Sequence, residues 1–308
     1  MNDLSVAIII VTYNAMPWIS KCLESTKPYP VVVVDNASQD ETLNYIKTNY
    51  PEITLLPQDT NLGFGQANNI GISYALKKGA ESVFLLNQDA YLVNDCLENL
   101  VSVQKNNPEY GILSPIHLNG KGNLLDKNFS HYVRYDANPY FYSDFVLNIQ
   151  KKLIYEVPFV NAAGWLLSKK CLETVGGFDP LFFHYGEDDN YCQRANYHGF
   201  KVGVVPTTFL KHDRENRKLQ KVEKYSKQYL DKLERGYILK YADINIPDGL
   251  ISLKNEKYRL KKTILKSNLK LRFATANQIK KQLAILDKIK LDIENSRNVN
   301  IRKGKHYL

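Results

Sequence analysis

Four short runs of aliphatic residues constrain this chain more than anything else in it. They are "VAIIIV" at Val6–Val11, "VVVVD" at Val31–Asp35, "ITLL" at Ile53–Leu56 and "SVFLLN" at Ser82–Asn87. A half-buried strand alternates apolar with polar; continuous β-branched runs belong to strands covered on both faces. Helical spacing fills the gaps, over roughly 17–26, 39–49 and 65–78, the first with Pro17 near its start and the second behind the capping candidate Ser38. Strand, helix, strand, repeated, predicts an α/β fold: a parallel sheet with right-handed crossovers, flanked by helices. Ligands of such sheets bind outside the carboxyl ends of the strands. That rule brings Thr12-Tyr13-Asn14, Asp35-Asn36 and Asn87-Gln88-Asp89 together in space.

Length and charge suggest a second part. The 308 residues suit one large domain with an appendage. The net charge of +9 is uneven: from Lys211 onward there are 26 Lys and Arg against 11 Asp and Glu, so the excess belongs to the C-terminal third. We therefore expect an α/β catalytic domain over residues 1–213 and a basic, mainly helical region over 214–308, with apolar residues at helical spacing (Leu219, Val222, Tyr229, Leu233, Tyr237). Cys22, Cys96, Cys171 and Cys192 form no CxxC pair, which argues against a zinc ribbon or disulfide framework and fits a reducing compartment. "MNDLSVAIIIVTYN" lacks the basic leader of a signal peptide, and no stretch approaches the roughly 20 apolar residues that span a bilayer. The expectation is a cytoplasmic protein, soluble or peripheral on the inner face of the membrane.

Several stretches carry chemistry. "VTYNA" and "VVDNAS" place small polar groups just past buried strands, where they could grip a base, a ribose or a phosphate, or merely make a turn. "NLGFGQANNIG" sets Gly63 and Gly65 ahead of a helix, as in a phosphate loop. A dinucleotide fingerprint would want glycine where Asn68 stands and would follow the first strand, not the third. "FLLNQDAYL" ends a buried strand in Asn87, Gln88 and Asp89; Asp89 could help hold a divalent metal against a diphosphate, with His212 of "TFLKHDR" as a second ligand. In "GGFDPLFFHYGEDDNYCQR", Glu187, Asp188 and Asp189 open a helix, where the dipole welcomes acids. The aromatic lead-in (Phe178, Phe182, Phe183, His184, Tyr185) would also wall a pocket and raise the pKa of a carboxylate acting as general base.

Taken in order over roughly residues 4–212, "VAIIIVTYNA", "VVVVDNASQDET", "NLGFGQANNIG", "LLNQDA" and "GGFDPLFFHYGEDDNYCQRANYHGFKVGVVP" resemble family 2 glycosyltransferases of the GT-A fold, in particular the bacterial rhamnosyltransferase-like branch. The resemblance implies an inverting transferase that moves a sugar from a nucleotide-diphosphate donor to a growing cell-surface polysaccharide or lipid-linked glycan. The donor it suggests is dTDP-rhamnose; a UDP-hexose donor, or a catalytically inactive sugar-nucleotide-binding assembly module, are the alternatives. It places the nucleotide-sugar on Thr12, Tyr13, Asn14, Asp35, Asn36, Asn61, Gly63, Gly65, Asn68, Asn87, Gln88 and Asp89. It places Mn²⁺ or Mg²⁺ on Asp89 and His212, the base at Asp188, and the acceptor near Trp165 and Glu187. Two departures stand out: Asn87 replaces the first acid of a DxD-type motif, and Asn190 stands where many relatives carry another Asp.

The basic region admits three roles. It could pack as a helical appendage on the catalytic domain or on a second copy, giving a homo-oligomer. It could make peripheral contact with an anionic membrane. Nucleic-acid binding is set aside, because no reading motif accompanies the charge.

Overall fold

A computed structural model describes residues 6–214 and 222–308; Leu219 lies outside the described residues. The chain divides into two units, one holding the described residues up to 214 together with Lys303–Leu308, the other running to Arg302.

The first unit begins as the aliphatic runs dictate. Strands β1 (Val6–Thr12), β2 (Val31–Asp35), β3 (Thr54–Pro57) and β4 (Ser82–Asn87) alternate with helices α1 (Ile19–Glu24), α2 (Thr42–Asn49) and α3 (Phe64–Lys77). They form the parallel half of a nine-stranded sheet in the order β3-β2-β1-β4. In register, Thr12 faces Asp35 and Val11 faces Asn87, so the carboxyl ends of β1, β2 and β4 lie side by side. Apolar residues on both faces of these strands feed two core clusters, one on each side of the sheet.

The rest of the unit is mixed. Strand β5 (Ala90–Val93) leads to helix α4 (Cys96–Asn106) and strand β6 (Tyr110–Asn119). An excursion with two short helices, α5 (Phe129–Tyr132) and α6 (Pro139–Val146), follows, then β7 (Tyr155–Glu156), β8 (Gly164–Ser168), α7 (Lys169–Val175), α8 (Glu187–Tyr197) and the long β9 (Lys201–His212). The sheet continues β4-β8-β6-β9-β5: β8 is antiparallel to both its neighbours, β9 runs parallel to β6, and β5 and β7 run antiparallel to β9. The four cysteines are buried free thiols.

Residues 303–308 return to this unit beside α7 and α8. Gly304 N–H donates to Thr174 (2.9 Å), Gly177 N–H donates to His306 (2.8 Å), and Lys305 pairs with Glu173 (2.9 Å). The second unit packs α9 (Lys227–Ala242), α10 (Gly249–Leu269) and α11 (Phe273–Asn300) around Leu253, Leu260, Leu286, Ile289 and Ile293. Its polar clasp is Arg297, which donates to the carbonyls of Tyr241 (3.1 Å), Asp243 (2.5 Å) and Ile246 (2.8 Å). Among the described residues no helix is long and apolar enough to cross a membrane.

Candidate active site

A cleft of about 550 Å³ opens at the carboxyl ends of β1, β2 and β4. Most of the residues expected at the site line it: Tyr13, Asn36, Asn61, Gly63, Asn87, Gln88, Asp89, Glu187, Asp188 and His212.

The strand ends are braced to one another by side-chain amides. Tyr13 N–H donates to Gln88 Oε1 (2.7 Å), and Gln88 Nε2 returns a bond to the Tyr13 carbonyl (3.2 Å). Asn36 Nδ2 donates to Asn61 Oδ1 (2.9 Å), while Asn36 Oδ1 accepts from Leu62 N–H (2.8 Å). Asp35 sits one layer deeper, fully engaged with its own neighbours: it accepts from the Thr12 hydroxyl (2.8 Å), the Ser38 hydroxyl (2.6 Å) and Ser38 N–H (3.0 Å). Asn14 adopts a left-handed φ of 50° and bonds back to Ser38 and Gln39. Thr12, Asn14 and Asp35 therefore shape the floor of the cleft without lining it.

Gly63 has a reason to be glycine. Its φ is +79°, and a Cβ there would stand 2.0 Å from the Phe183 carbonyl oxygen. Gly65 presses against Phe178, where a Cβ would come within 2.8 Å. These contacts seat the loop before α3 against the aromatic segment before α8. Asn68, one turn into α3, is buried and donates to the Phe64 carbonyl (2.9 Å); like Gly65, it does not reach the cleft.

Sheet pairing explains how Asp89 meets His212. Gln88 and Asp89 form the turn between β4 and β5, and β5 sets Ala90 opposite His212 on β9. The His212 Nε2 stands 3.3 Å from Asp89 Oδ1, with both side chains buried. Neither ring nitrogen of His212, nor the buried side-chain oxygen of Asn87 nearby in the wall, has a hydrogen-bond partner among the described residues. A buried imidazole left so is costly unless something else takes its lone pair. Two ligands about 2.1 Å from one cation and roughly 90–105° apart stand about 3.0–3.3 Å from each other, so this pair fits a divalent ion. No group of three or more His, Cys, Asp or Glu among the described residues could hold a metal. The remaining ligands would therefore be phosphate oxygens and water.

The opposite wall comes from the turn into α8. Tyr185 (φ 67°) and Gly186 (φ 94°) bend the chain so that the helix begins at Glu187 against the cleft. Asp188 accepts from the Asp189 N–H (2.9 Å) and from the Ala162 N–H, yet burial pushes its carboxyl above the ordinary range. Burial, then the charge of Asp188, pushes Asp189 up to about 7. Phe183, His184 and Tyr185 line the cleft, whereas Phe178 and Phe182 are buried in the core.

Trp165, expected at the acceptor site, and Asn190, noted as a departure from the family pattern, both serve packing. Trp165 is fully buried on β8, stacks on Phe178 with ring centroids 6.2 Å apart, and donates its indole N–H to the Val160 carbonyl (3.1 Å); it touches no part of the cleft. Asn190 faces inward, its Oδ1 accepting from Arg194 Nε (2.9 Å), and Arg194 in turn holds the carbonyls of Val175 (3.0 Å) and Gly177 (2.7 Å). The amide at 190 is thus matched to a buried arginine.

The cleft also contains residues not singled out from sequence. Asn128 and Tyr132 reach it from the α5 excursion; burial, then Asp188, pushes the Tyr132 phenol up to about 12. Asn161 lines the same wall. Arg214, two residues past His212, brings a guanidinium into the cleft and is held by the carboxylate of Asp126 through Nε (2.8 Å) and a second, very short contact from its NH2 group. The signal was there in "KHDR": a cation right behind a strand-end histidine.

A mixed sheet whose parallel half carries a cleft at its carboxyl edge is the architecture of the GT-A fold. Residues 7–176, more than half the chain, match the Glycosyl transferase family 2, and the chain belongs to that family. It is 28% identical over 227 residues to the dTDP-rhamnosyl transferase RfbF of Shigella flexneri, covering 69% of this chain and 70% of that one. It is 26% identical over 244 residues to the N-acetylglucosaminyl-diphospho-decaprenol L-rhamnosyltransferase of Mycobacterium tuberculosis, covering 69% and 76%. Among solved structures, the mannosyltransferase PcManGT of Pyrobaculum calidifontis, in complex with GDP-Man and Mn²⁺, superposes with a TM-score of 0.53 at 18% identity, over 93% of this chain and 87% of that one. The protein is a glycosyltransferase.

Proposed function

We propose that this enzyme is an inverting, metal-assisted rhamnosyltransferase that takes dTDP-rhamnose as donor and extends a lipid-linked glycan of the cell envelope, working at the cytoplasmic face. The observation that carries the reading is that Asp89 with His212, and Asp188, share one cleft. The choice of sugar is supported by the rhamnosyltransferases among the relatives.

The roles follow from chemistry. Tyr13, Asn36 and Asn61 border the nucleoside, and Gly63 lets the backbone approach the diphosphate. Asp89 and His212 would hold Mn²⁺ or Mg²⁺, which when bound offsets the charge growing on the leaving diphosphate. Arg214 adds a fixed positive charge on the same side. Asp188 accepts the proton of the acceptor hydroxyl as its oxygen attacks the anomeric carbon opposite the departing phosphate; a single displacement inverts the configuration. Glu187 and Tyr132 flank the acceptor.

A thermal-shift screen against dTDP, UDP, GDP and CDP, each with and without Mn²⁺, tests this. The expected result is a Mn²⁺-dependent shift largest with dTDP and absent in Asp89→Ala. A shift largest with UDP would replace the donor, and no shift with any nucleotide would overturn the site.

A further inference from the structure

The excursion between β6 and β8 carries an apolar surface that the site does not use. Asn138 caps α6 by accepting from the N–H groups of Tyr140 (3.0 Å) and Phe141 (3.2 Å), and Pro139 starts the helix. Only Phe141 and Asp144 of this helix are buried. Phe141 packs beside Phe129 and Tyr155, and Asp144 accepts the Tyr155 hydroxyl (2.8 Å). The far end is apolar and outside: Val146 is 78% exposed, Leu147 67%, Ile149 50% and Leu153 59%.

The turn after α6 folds these residues into one face. Asn148 takes a left-handed φ of 51°, and Ile149 N–H closes onto the Asp144 carbonyl (3.1 Å). The chain then doubles back, so that Lys152 Nζ sits 3.5 Å from the Tyr140 ring centroid and Lys151 Nζ lies 5.3 Å from that of Phe145. Lysine ammoniums over aromatic rings, beside exposed aliphatic side chains, are the composition of a lipid interface.

Charge selects the occupant. Between Ala137 and Tyr155 the one acidic residue is Asp144, and it is buried. A two-fold contact with another copy would press Lys151 and Lys152 against their counterparts with no carboxylate in the segment to pair them. An anionic headgroup layer supplies that negative charge, and the acyl region receives Val146, Leu147, Ile149 and Leu153. We infer that the α6 end and its turn, residues 139–153, are the membrane-docking surface of this protein, seating in a bilayer that contains anionic phospholipid. Through Phe141 on Phe129 the same excursion leads back to Asn128 and Tyr132 in the cleft, so docking here would bring a lipid-borne acceptor to the catalytic wall. That last consequence rests on the proposed function; the docking itself does not.

The test uses the full chain and no donor or acceptor. Flotation with vesicles of phosphatidylcholine alone, and with roughly a third phosphatidylglycerol, should show partition that is about tenfold stronger on the anionic vesicles. The double variant Val146→Asp/Leu147→Asp should lose at least about tenfold of that partition while keeping wild-type circular dichroism and melting temperature. Lys151→Gln/Lys152→Gln should lose most of the preference for phosphatidylglycerol. Wild-type binding by the aspartate variant would overturn the inference, because the lysine-rich helices α9–α11 are intact in it. So would sedimentation showing a dimer that the aspartate variant dissociates, which would make this face a contact between copies. A failed nucleotide screen leaves this result untouched, so the two readings fall separately.

Discussion

The two neighbouring acids of α8 sit in different surroundings, and pH separates them. Asp188 lines the cleft and its carboxyl is raised by burial; as the proposed base it should gain its basic form, and transfer should gain rate, as pH climbs through that raised value. Asp188→Asn should lower kcat by about 10²–10⁴-fold with the Mn²⁺-dependent nucleotide shift retained; turnover near wild type would remove Asp188 from the base role. Asp189 does not line the cleft. With its folded value at about 7 and an unfolded value near 3.9, it binds a proton in the folded state over a range where the unfolded chain has lost it. Folding stability must then fall as pH rises from about 4 to about 7, and level off above. Asp189→Asn removes this titration. Its melting temperature should exceed wild type at pH 8 and converge with it toward pH 4; parallel curves would show that Asp189 is not held neutral.

At the scale of elements, the loop before α3 and the segment before α8 are built around each other. Gly63 lies in a region of positive φ that nearly excludes other residues, and its Cα faces the Phe183 backbone. Gly63→Ala should cost about 1–3 kcal/mol from backbone strain alone, and the displaced Phe183 should take the cleft with it. Urea unfolding would read the first effect and nucleotide thermal shifts the second; unchanged nucleotide binding would mean that the two segments move independently of the site. This loop was readable because glycine spacing before a helix has a backbone cause. The parallel half of the sheet was readable too, since strands covered on both faces must be continuously apolar. Other parts were hidden for equally physical reasons. Residues 114–156, rich in Asn, Tyr and His, lack a clear period, so helices α5 and α6, and with them Tyr132 and Asn128, leave no periodic signal. Trp165 was placed at the acceptor site by the resemblance alone, and its burial follows from β8 lying inside the sheet, between β4 and β6. The match of Asn190 to Arg194 requires knowing which side of α8 faces inward, and the acids on that helix give no periodic hint.

On the scale of the whole molecule, the chain leaves the transferase unit beyond residue 214, forms a three-helix unit, and returns at Lys303. The basic composition of the C-terminal third conceals this return, because the last six residues carry the same lysines as the helices before them. Their contacts are specific nonetheless. Two backbone hydrogen bonds tie Gly304 to Thr174 and His306 to Gly177, Leu308 packs against the main core, and the Tyr307 ring centroid stands 5.8 Å from the Arg194 guanidinium. Gly176 and Gly177 leave room for them: a Cβ on Gly176 would meet the His306 carbonyl oxygen at 2.3 Å, and one on Gly177 would meet Leu308 at 2.7 Å. Two net hydrogen bonds at about 1 kcal/mol each and partial burial of one leucine amount to about 3 kcal/mol. A chain stopped after Arg302 should therefore melt roughly 6–12 °C lower in its transferase unit. The cleft lining includes none of these six residues, so the truncated protein, below its lowered melting point, should still show the Mn²⁺-dependent nucleotide shift. If truncation instead abolished nucleotide binding while leaving the melting temperature in place, the segment would be acting on the site through α8 and Arg194 rather than on the stability of the unit.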